Sequence, residues 1–331
     1  MTLREAFGRL RPRTVHGISA VLLPYTRAGH IDWAAFERHL IRTRAAGLDV
    51  AVNMDTGFGD LLTPGERQRV LERTRAVLGN GVIFYAGALA GPDGNLRDYH
   101  AAMVAVREVG GVPVIIQSRT MHRLDAREKA ALYARICAPV DRALAFELGP
   151  VFAAHGEIWD DATAERVMMI PQLVGLKHSS LDRRTELGRL ALRDRVRADF
   201  RIYTGNDLAI DMVAYGSDYL LGLSTFAPEC FGRRDRALAA GDAAFLALND
   251  ALQHLGNVAF RTPVPAYKHA AAQFLHIIGA LDGDAVHPRA PRRPDSERLM
   301  LFDCADRLGL ITDRARVYRE RVGPFLPGGQ A

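Results

Sequence analysis

The stretch 82–116, VIFYAGALAGPDGNLRDYHAAMVAVREVGGVPVII, holds two near-continuous apolar runs, Val82-Ile83-Phe84-Tyr85 and Val112-Pro113-Val114-Ile115-Ile116. Runs with no polar alternation suit strands covered on both faces, which is how parallel strands are buried. A spacing of about thirty residues leaves room for one helical crossover. Such runs recur at 15–23, 49–54, 82–87, 112–117, 142–147, 172–177, 200–205 and 217–223. Helix starts stand between them: Asp32 precedes Trp33, Phe36 and Leu40 at helical spacing, Thr63-Pro64-Gly65-Glu66 reads as a capping box, and Asp125 with Glu128 has the related form. No G-x-G-x-x-G follows the first run, so an open doubly wound sheet fits less well than eight βα units closed on themselves. The expectation is an α/β fold, a (β/α)8 TIM barrel over 15–255, with an N-terminal arm at 1–14 and a C-terminal helical extension at 256–331. Helices are expected there at 263–279, 293–309 and 311–321.

Composition narrows the function classes. The chain has 331 residues, 48% hydrophobic and 24% charged, which excludes disordered and fibrous readings. No apolar run reaches the ~18 residues of a membrane span. The N-terminal MTLREAFGRLRPRT is basic and lacks the apolar centre of a secretory signal, so a cytoplasmic protein with a surface arm is expected. Despite a net charge of +5, arginines are dispersed among acidic residues, and the densest basic segment is PRAPRRP at 288–294. That distribution reads as a solvated surface, with no nucleic-acid footprint. Cys137, Cys230 and Cys304 form no C-x-x-C pair and are expected to be reduced and structural. Asp55, Glu147, His155 and His178 lack the local spacing of a metal site, so neither a metal nor another cofactor is expected.

In a barrel of this kind, reactive groups lie at the C-terminal ends of strands. Those ends offer Asp55 and Thr56, Gln117 to Arg119, Glu147, Lys177 with His178, Gly205-Asn206-Asp207, and Ser224-Thr225. Lys177 closes the apolar run Leu173-Val174-Gly175-Leu176, where desolvation disfavours an ammonium. A lysine that is partly neutral can attack a carbonyl and form a Schiff base. The competing reading is a structural lysine paired with a carboxylate. The chain has two other lysines: Lys129, expected to be solvated on a polar helix face, and Lys268, beside Tyr267 and His269, expected to pack or cap.

The segment beginning LLPYTRAGH and running through NMDTGFGD, together with LVGLKHSS at 173–180, YTGND at 203–207 and YGSDYLLGLSTFAPE at 215–229, resembles the dihydrodipicolinate synthase and N-acetylneuraminate lyase family. The resemblance covers roughly 15–250 in order and spacing. It implies a class I aldolase scaffold acting on a pyruvate-type 2-oxo acid, assembled as a homodimer or homotetramer. It places Lys177 on the Schiff-base lysine and Asp55 on the first threonine of the family's loop, a member of its proton relay. Thr56 falls on the second threonine, so its hydroxyl and the amides of Thr56-Gly57-Phe58 would hold the substrate carboxylate. Phe146 stands where the family's strand-five tyrosine handles protons, and a benzyl ring moves none. Asp55, Glu147 and His178, in that order, are the candidates to replace it, although strand alternation points the last two away from Phe146 and Lys177. Thr56, Gly57, Phe146, Asn206 and Ser224 are assigned to substrate contact, with Arg119 as the fallback cation for the carboxylate. The expected function is a Schiff-base lyase or aldolase on a 2-oxo acid. The alternatives are an imine-dependent hydro-lyase and a catalytically silent oxo-acid-binding barrel.

Overall fold

Eight short strands pair in chain order into a closed parallel barrel in the computed structural model, which describes residues 11–122 and 124–326. Residues 1–10 of the expected arm lie outside the described residues. The first strand, β1 (Gly17–Ala20), pairs with both β2 (Asp49–Val52) and β8 (Asp218–Leu221), which closes the ring. Between them stand β3 (Tyr85–Ala88), β4 (Val112–Ile115), β5 (Ala143–Leu148), β6 (Leu173–Ser179) and β7 (Arg201–Thr204). Each lies on one of the apolar runs of the sequence, with β3, β5 and β6 extending one or two residues past the run.

The crossovers are α1 (Trp33–Ala45), α2 (Pro64–Leu78), α3 (Leu96–Glu108), α4 (Ala126–Cys137), α5 (Asp161–Met168) and α6 (Arg183–Val196). Their starts are fixed by side chains. Asp32 accepts the Ala35 N–H, and Thr63 with Glu66 and Asp125 with Glu128 form reciprocal boxes, each cap contributing about 1 kcal/mol. The seventh connection departs from the expected βα unit, because the residues between β7 and β8 hold only a 3-10 turn, Ile210–Tyr215.

Alternation along each strand divides the protein into layers. Ile18, Ala51, Val114, Leu144, Phe146, Tyr203 and Leu220 fill the barrel interior. Register sets Phe146 beside Lys177 and Lys177 beside Tyr203, and sets Glu147 beside His178 and His178 beside Thr204. The first set is inward and the second faces the helices.

After β8 come α7 (Pro228–Ala240), α8 (Ala244–Ala259), α9 (Tyr267–Ile277) and α10 (Arg298–Arg307). They share one hydrophobic cluster with β2, β8, α1 and the residues Val21, Leu22 and Leu23 that follow β1. Helix α9 is buried at all but one of its 11 positions. Tyr267 stacks on Phe260 with ring centroids 4.4 Å apart, and Phe274 meets Phe226 edge-on at 5.6 Å. Burial of a large side chain of this kind contributes about 1.5–3 kcal/mol. The basic segment 288–294 is only partly the solvated surface expected of it. Arg293 is buried and donates to the carbonyls of Ala259, Thr262 and Pro263 at 3.1, 3.2 and 3.2 Å. The three cysteines are free and buried. Among the described residues no helix is long and apolar enough to cross a membrane.

Candidate active site

Lys177 projects into the barrel near the end of β6, 9% exposed, with Nζ 4.4 Å from the centroid of the Phe146 ring. Among the described residues no carboxylate lies within ion-pair distance of it. Burial lowers its pKa to about 8, with Asp207 and Asp55 partly opposing that shift from further away. Asp207 is the complementary group. Its carboxyl is buried and accepts the Leu223 N–H at 2.7 Å, and burial raises its pKa to about 7 against the pull of that N–H and of Lys177. The backbone beyond β7 comes close here. A Cβ on Gly205 would stand 2.7 Å from Lys177 Cε and 2.1 Å from Ser179 Oγ, so glycine is needed for this approach.

Asp55 begins the 3-10 turn after β2, and each of its carboxylate oxygens is engaged by the C-terminal helices. Lys268 Nζ donates to Oδ1 at 2.7 Å and the Tyr267 hydroxyl donates to Oδ2 at 2.8 Å. Lys268 therefore does not merely pack or cap; it is the counter-ion of Asp55. The Tyr267 oxygen also lies 2.8 Å from Thr56 Oγ1. Burial, reinforced by the Asp55 charge, raises the Tyr267 pKa far above the ordinary tyrosine value, so the phenol keeps its proton. Gly222 leaves room for this chain, since a Cβ there would stand 3.0 Å from the Tyr267 ring and 3.1 Å from Thr56 Oγ1.

A tyrosine and a threonine each carry one hydroxyl hydrogen. With the Tyr267 hydrogen on Asp55, the Thr56 hydrogen must lie on the Tyr267 oxygen, which leaves Thr56 lone pairs for anything in the barrel. The turn also uses its own amides. Gly57 N–H donates to Met54 O at 3.0 Å and Phe58 N–H to Asp55 O at 2.9 Å. Two of the three amides expected to hold a carboxylate are thus spent inside the turn.

Glu147 and His178 stand on the far side of the strands. The Glu147 carboxylate takes two bonds from Arg189, at 2.8 and 3.1 Å, one from the Trp159 N–H at 2.9 Å, and lies 2.6 Å from His178 Nδ1. Burial raises the Glu147 pKa, but His178 and Arg189 outweigh it and hold the group below its usual value. This network joins β5 and β6 to α6, and the structure does not bring it to Lys177. Asn206 bonds to Glu186 at 2.5 Å and to the Leu181 N–H at 2.6 Å, and Ser224 donates to Leu221 O at 2.9 Å. Arg119 is exposed and paired with Asp93, its Nε at 2.7 Å, outside the cavity described below. Lys129, expected to be solvated, is buried against Glu157 at 2.6 Å.

A cavity of about 310 Å³ opens over the β2–β5 side of the mouth. Asp55 and Phe146, which both act on Lys177, line it, as do Asn53, Arg67, Gln117, His155 and an apolar wall that includes Leu89 and Phe152. Among the described residues no three His, Cys, Asp or Glu side chains converge as metal ligands would. Sequence reading passed over Tyr267, Asn53 and Arg67, and named Asp207 without giving it a role. The signal available for Tyr267 was its neighbour: Lys268 is one of only three lysines, in a segment otherwise largely apolar.

A family model described as protein of unknown function (DUF993) matches residues 13–326. The chain belongs to DUF993. No curated protein matches it. Among solved structures, this DUF993 chain is similar to the chloride-inhibited dihydrodipicolinate synthase from Acinetobacter baumannii complexed with pyruvate. The TM-score is 0.75 at 20% identity, covering 90% of this chain and 100% of that one. It is also similar to YagE from E. coli K12, a dihydrodipicolinic acid synthase family protein in complex with pyruvate (TM-score 0.79, 15% identity, 89% and 99% covered). The KD(P)GA from T. tenax matches with TM-score 0.71, 18% identity and the same two coverages. At these identities the likeness shows a shared fold for the DUF993 chain, that of the dihydrodipicolinate synthase and class I aldolase enzymes.

Proposed function

We propose that this DUF993 protein is a class I lyase or aldolase that binds a pyruvate-type 2-oxo acid as a Schiff base on Lys177. The observation that carries this reading is Lys177 itself, an amine buried inside the barrel, without an ion-pair partner among the described residues and with its pKa lowered toward neutrality. Its neutral form attacks the 2-oxo carbon. The carbinolamine then loses water, with Asp207 supplying the proton, because a carboxyl titrating near 7 holds one at working pH.

In the cleavage direction the bond between C3 and C4 breaks and its electron pair moves into the imine, giving an enamine on Lys177. The C4 hydroxyl proton passes to Thr56 Oγ1, the Thr56 proton to Tyr267 and the Tyr267 proton to Asp55, along contacts of 2.8 and 2.8 Å. Protonation of the enamine at C3 and hydrolysis release the shorter 2-oxo acid. Here Thr56 meets a substrate hydroxyl, because its hydrogen is already committed. Asp55 keeps the base role expected of it, Phe146 packs against the ammonium, and Gly57 holds the turn. Glu147 and His178 are positioning residues, fixing the β5 and β6 backbone from outside the barrel. Borohydride reduction in the presence of pyruvate tests the reading: a stable adduct on Lys177 is expected, and no adduct with any of a panel of 2-oxo acids contradicts it.

A further inference from the structure

Arg67, on the first turn of α2, lines the cavity, and among the described residues it is paired with no carboxylate. Its Nη1 donates to the carbonyls of Leu62 and Gly59 at 2.9 and 3.3 Å, which fixes the guanidinium in place, and among the described residues Nη2 and Nε have no acceptor. Burial lowers its pKa and no nearby charge offsets that shift. Asp60, in the same wall, lies beyond ion-pair distance of it. Beside it Asn53, 3% exposed and held at φ 53°, donates to the Arg67 carbonyl at 3.1 Å while its Oδ1 has no partner. Buried polar groups are normally satisfied. A fixed half-buried cation and an unpartnered buried acceptor in one wall call for a ligand that brings an anion and a donor.

We propose that Arg67 forms a carboxylate subsite, with Asn53 Oδ1 accepting from a donor group of the same ligand, so that the molecule processed carries a distal carboxylate separated from the reacting carbon by an apolar segment. The apolar segment follows from Leu89, Pro92, Ile116, Phe146, Leu148 and Phe152, which line the same cavity as Arg67, Phe146 also facing Lys177. A carboxylate fits better than a phosphate, because one guanidinium faces a wall that already holds Asp55 and Asp60, and a dianion would be undercompensated. Asn53 Oδ1 takes a hydroxyl or the proton of a hydrated carbonyl. The inference rests on the Schiff-base reading for the chemistry but not for the subsite.

Two arms locate the carboxylate. In the first, the concentration of 2-oxoadipate that half-saturates borohydride trapping is compared with that of 2-oxohexanoate. In the second, aldol addition of pyruvate to 4-oxobutanoate is compared with addition to butanal. Preference for the charged member by tenfold or more is expected in one arm, the scale of a charge-assisted pair. That arm tells whether the carboxylate belongs to the 2-oxo acid or to the aldehyde. Arg67→Met should bring the preference to near unity and Arg67→Lys should restore part of it, with melting temperature confirming that both fold. A charged-member preference in neither arm, or one that survives Arg67→Met, overturns the proposal. Should no oxo acid be trapped, the Schiff-base reading fails and calorimetry decides the subsite separately. Adipate binding tighter than hexanoate and lost in Arg67→Met supports it, and equal binding of the two contradicts it.

Discussion

The phenol oxygen of Tyr267 lies 2.8 Å from Oδ2 of Asp55, joining a helix beyond the barrel to the loop that follows its second strand. Phe146 cannot carry a proton, and the barrel's other inward tyrosine at that level, Tyr203, turns its hydroxyl to His16 Nδ1 at 2.9 Å. Tyr267 is therefore the phenol in contact with the candidate base, and its high pKa suits a relay that stays protonated between transfers.

Tyr267→Phe should lower turnover by ~10²-fold or more, the usual scale for loss of an acid or base, while leaving borohydride trapping of the 2-oxo acid intact. Asp55→Asn should have the same signature. The double variant should be little worse than either single one, since links of one chain fail together. Rate constants for cleavage set beside trapping stoichiometry make the comparison. Additive losses in the double variant would show that the two groups act separately.

Imine formation requires the neutral amine. Because burial depresses the Lys177 pKa to about 8, the trapping profile should carry an inflection near that pH, well below the range of a solvated lysine, and Asp207, raised to about 7, should bend the profile down once it loses the proton that expels water. Phe146→Leu removes the ring that faces the ammonium at 4.4 Å, an interaction of about 0.5–2 kcal/mol in favour of the charged form. The inflection should then move to lower pH. Quenched-flow trapping across pH 6–11 reads both, and an inflection unmoved by the substitution would show that the ring does not act on the amine.

Glu147→Gln should cost stability before it costs chemistry. It leaves the buried Arg189 guanidinium with only the exposed Asp161 as charge partner, a loss of about 3 kcal/mol. The sign of the pH dependence follows from the same pair. The Glu147 pKa is held below its unfolded value, so its contribution is complete above the usual glutamate range and is lost as pH falls through the lower folded value. Acid denaturation should thus begin at higher pH in the variant. A variant with wild-type melting temperature and abolished turnover would instead return Glu147 to the reaction.

The barrel was legible because each strand's apolar run and each cap is a local signal. Lys177 was legible because it ends one of those runs. Strand parity also pointed correctly: Glu147 and His178 are adjacent in sequence to inward residues and face outward, where Arg189 meets them. What local reading could not reach is the pairing of Asp55 with residues some 212 positions later. Nothing in α9 itself says which strand end it covers. The solvated role expected of Lys129 fails for a related reason, since its partner Glu157 lies on a loop from the next βα unit. The β7–β8 connection was read as a full unit because spacing counts residues and does not show which of them become helical.

Whether Lys177 carries the substrate is decided by borohydride reduction with pyruvate or another accepted 2-oxo acid, followed by intact mass and peptide mapping. All three lysines are buried, Lys129 and Lys268 are each bonded to a carboxylate, and Lys177 has no carboxylate partner among the described residues. One adduct per chain is expected, mapped to Lys177 and absent in a folded Lys177→Arg variant. An adduct on Lys129 or Lys268, or one that persists in Lys177→Arg, would contradict that role of Lys177.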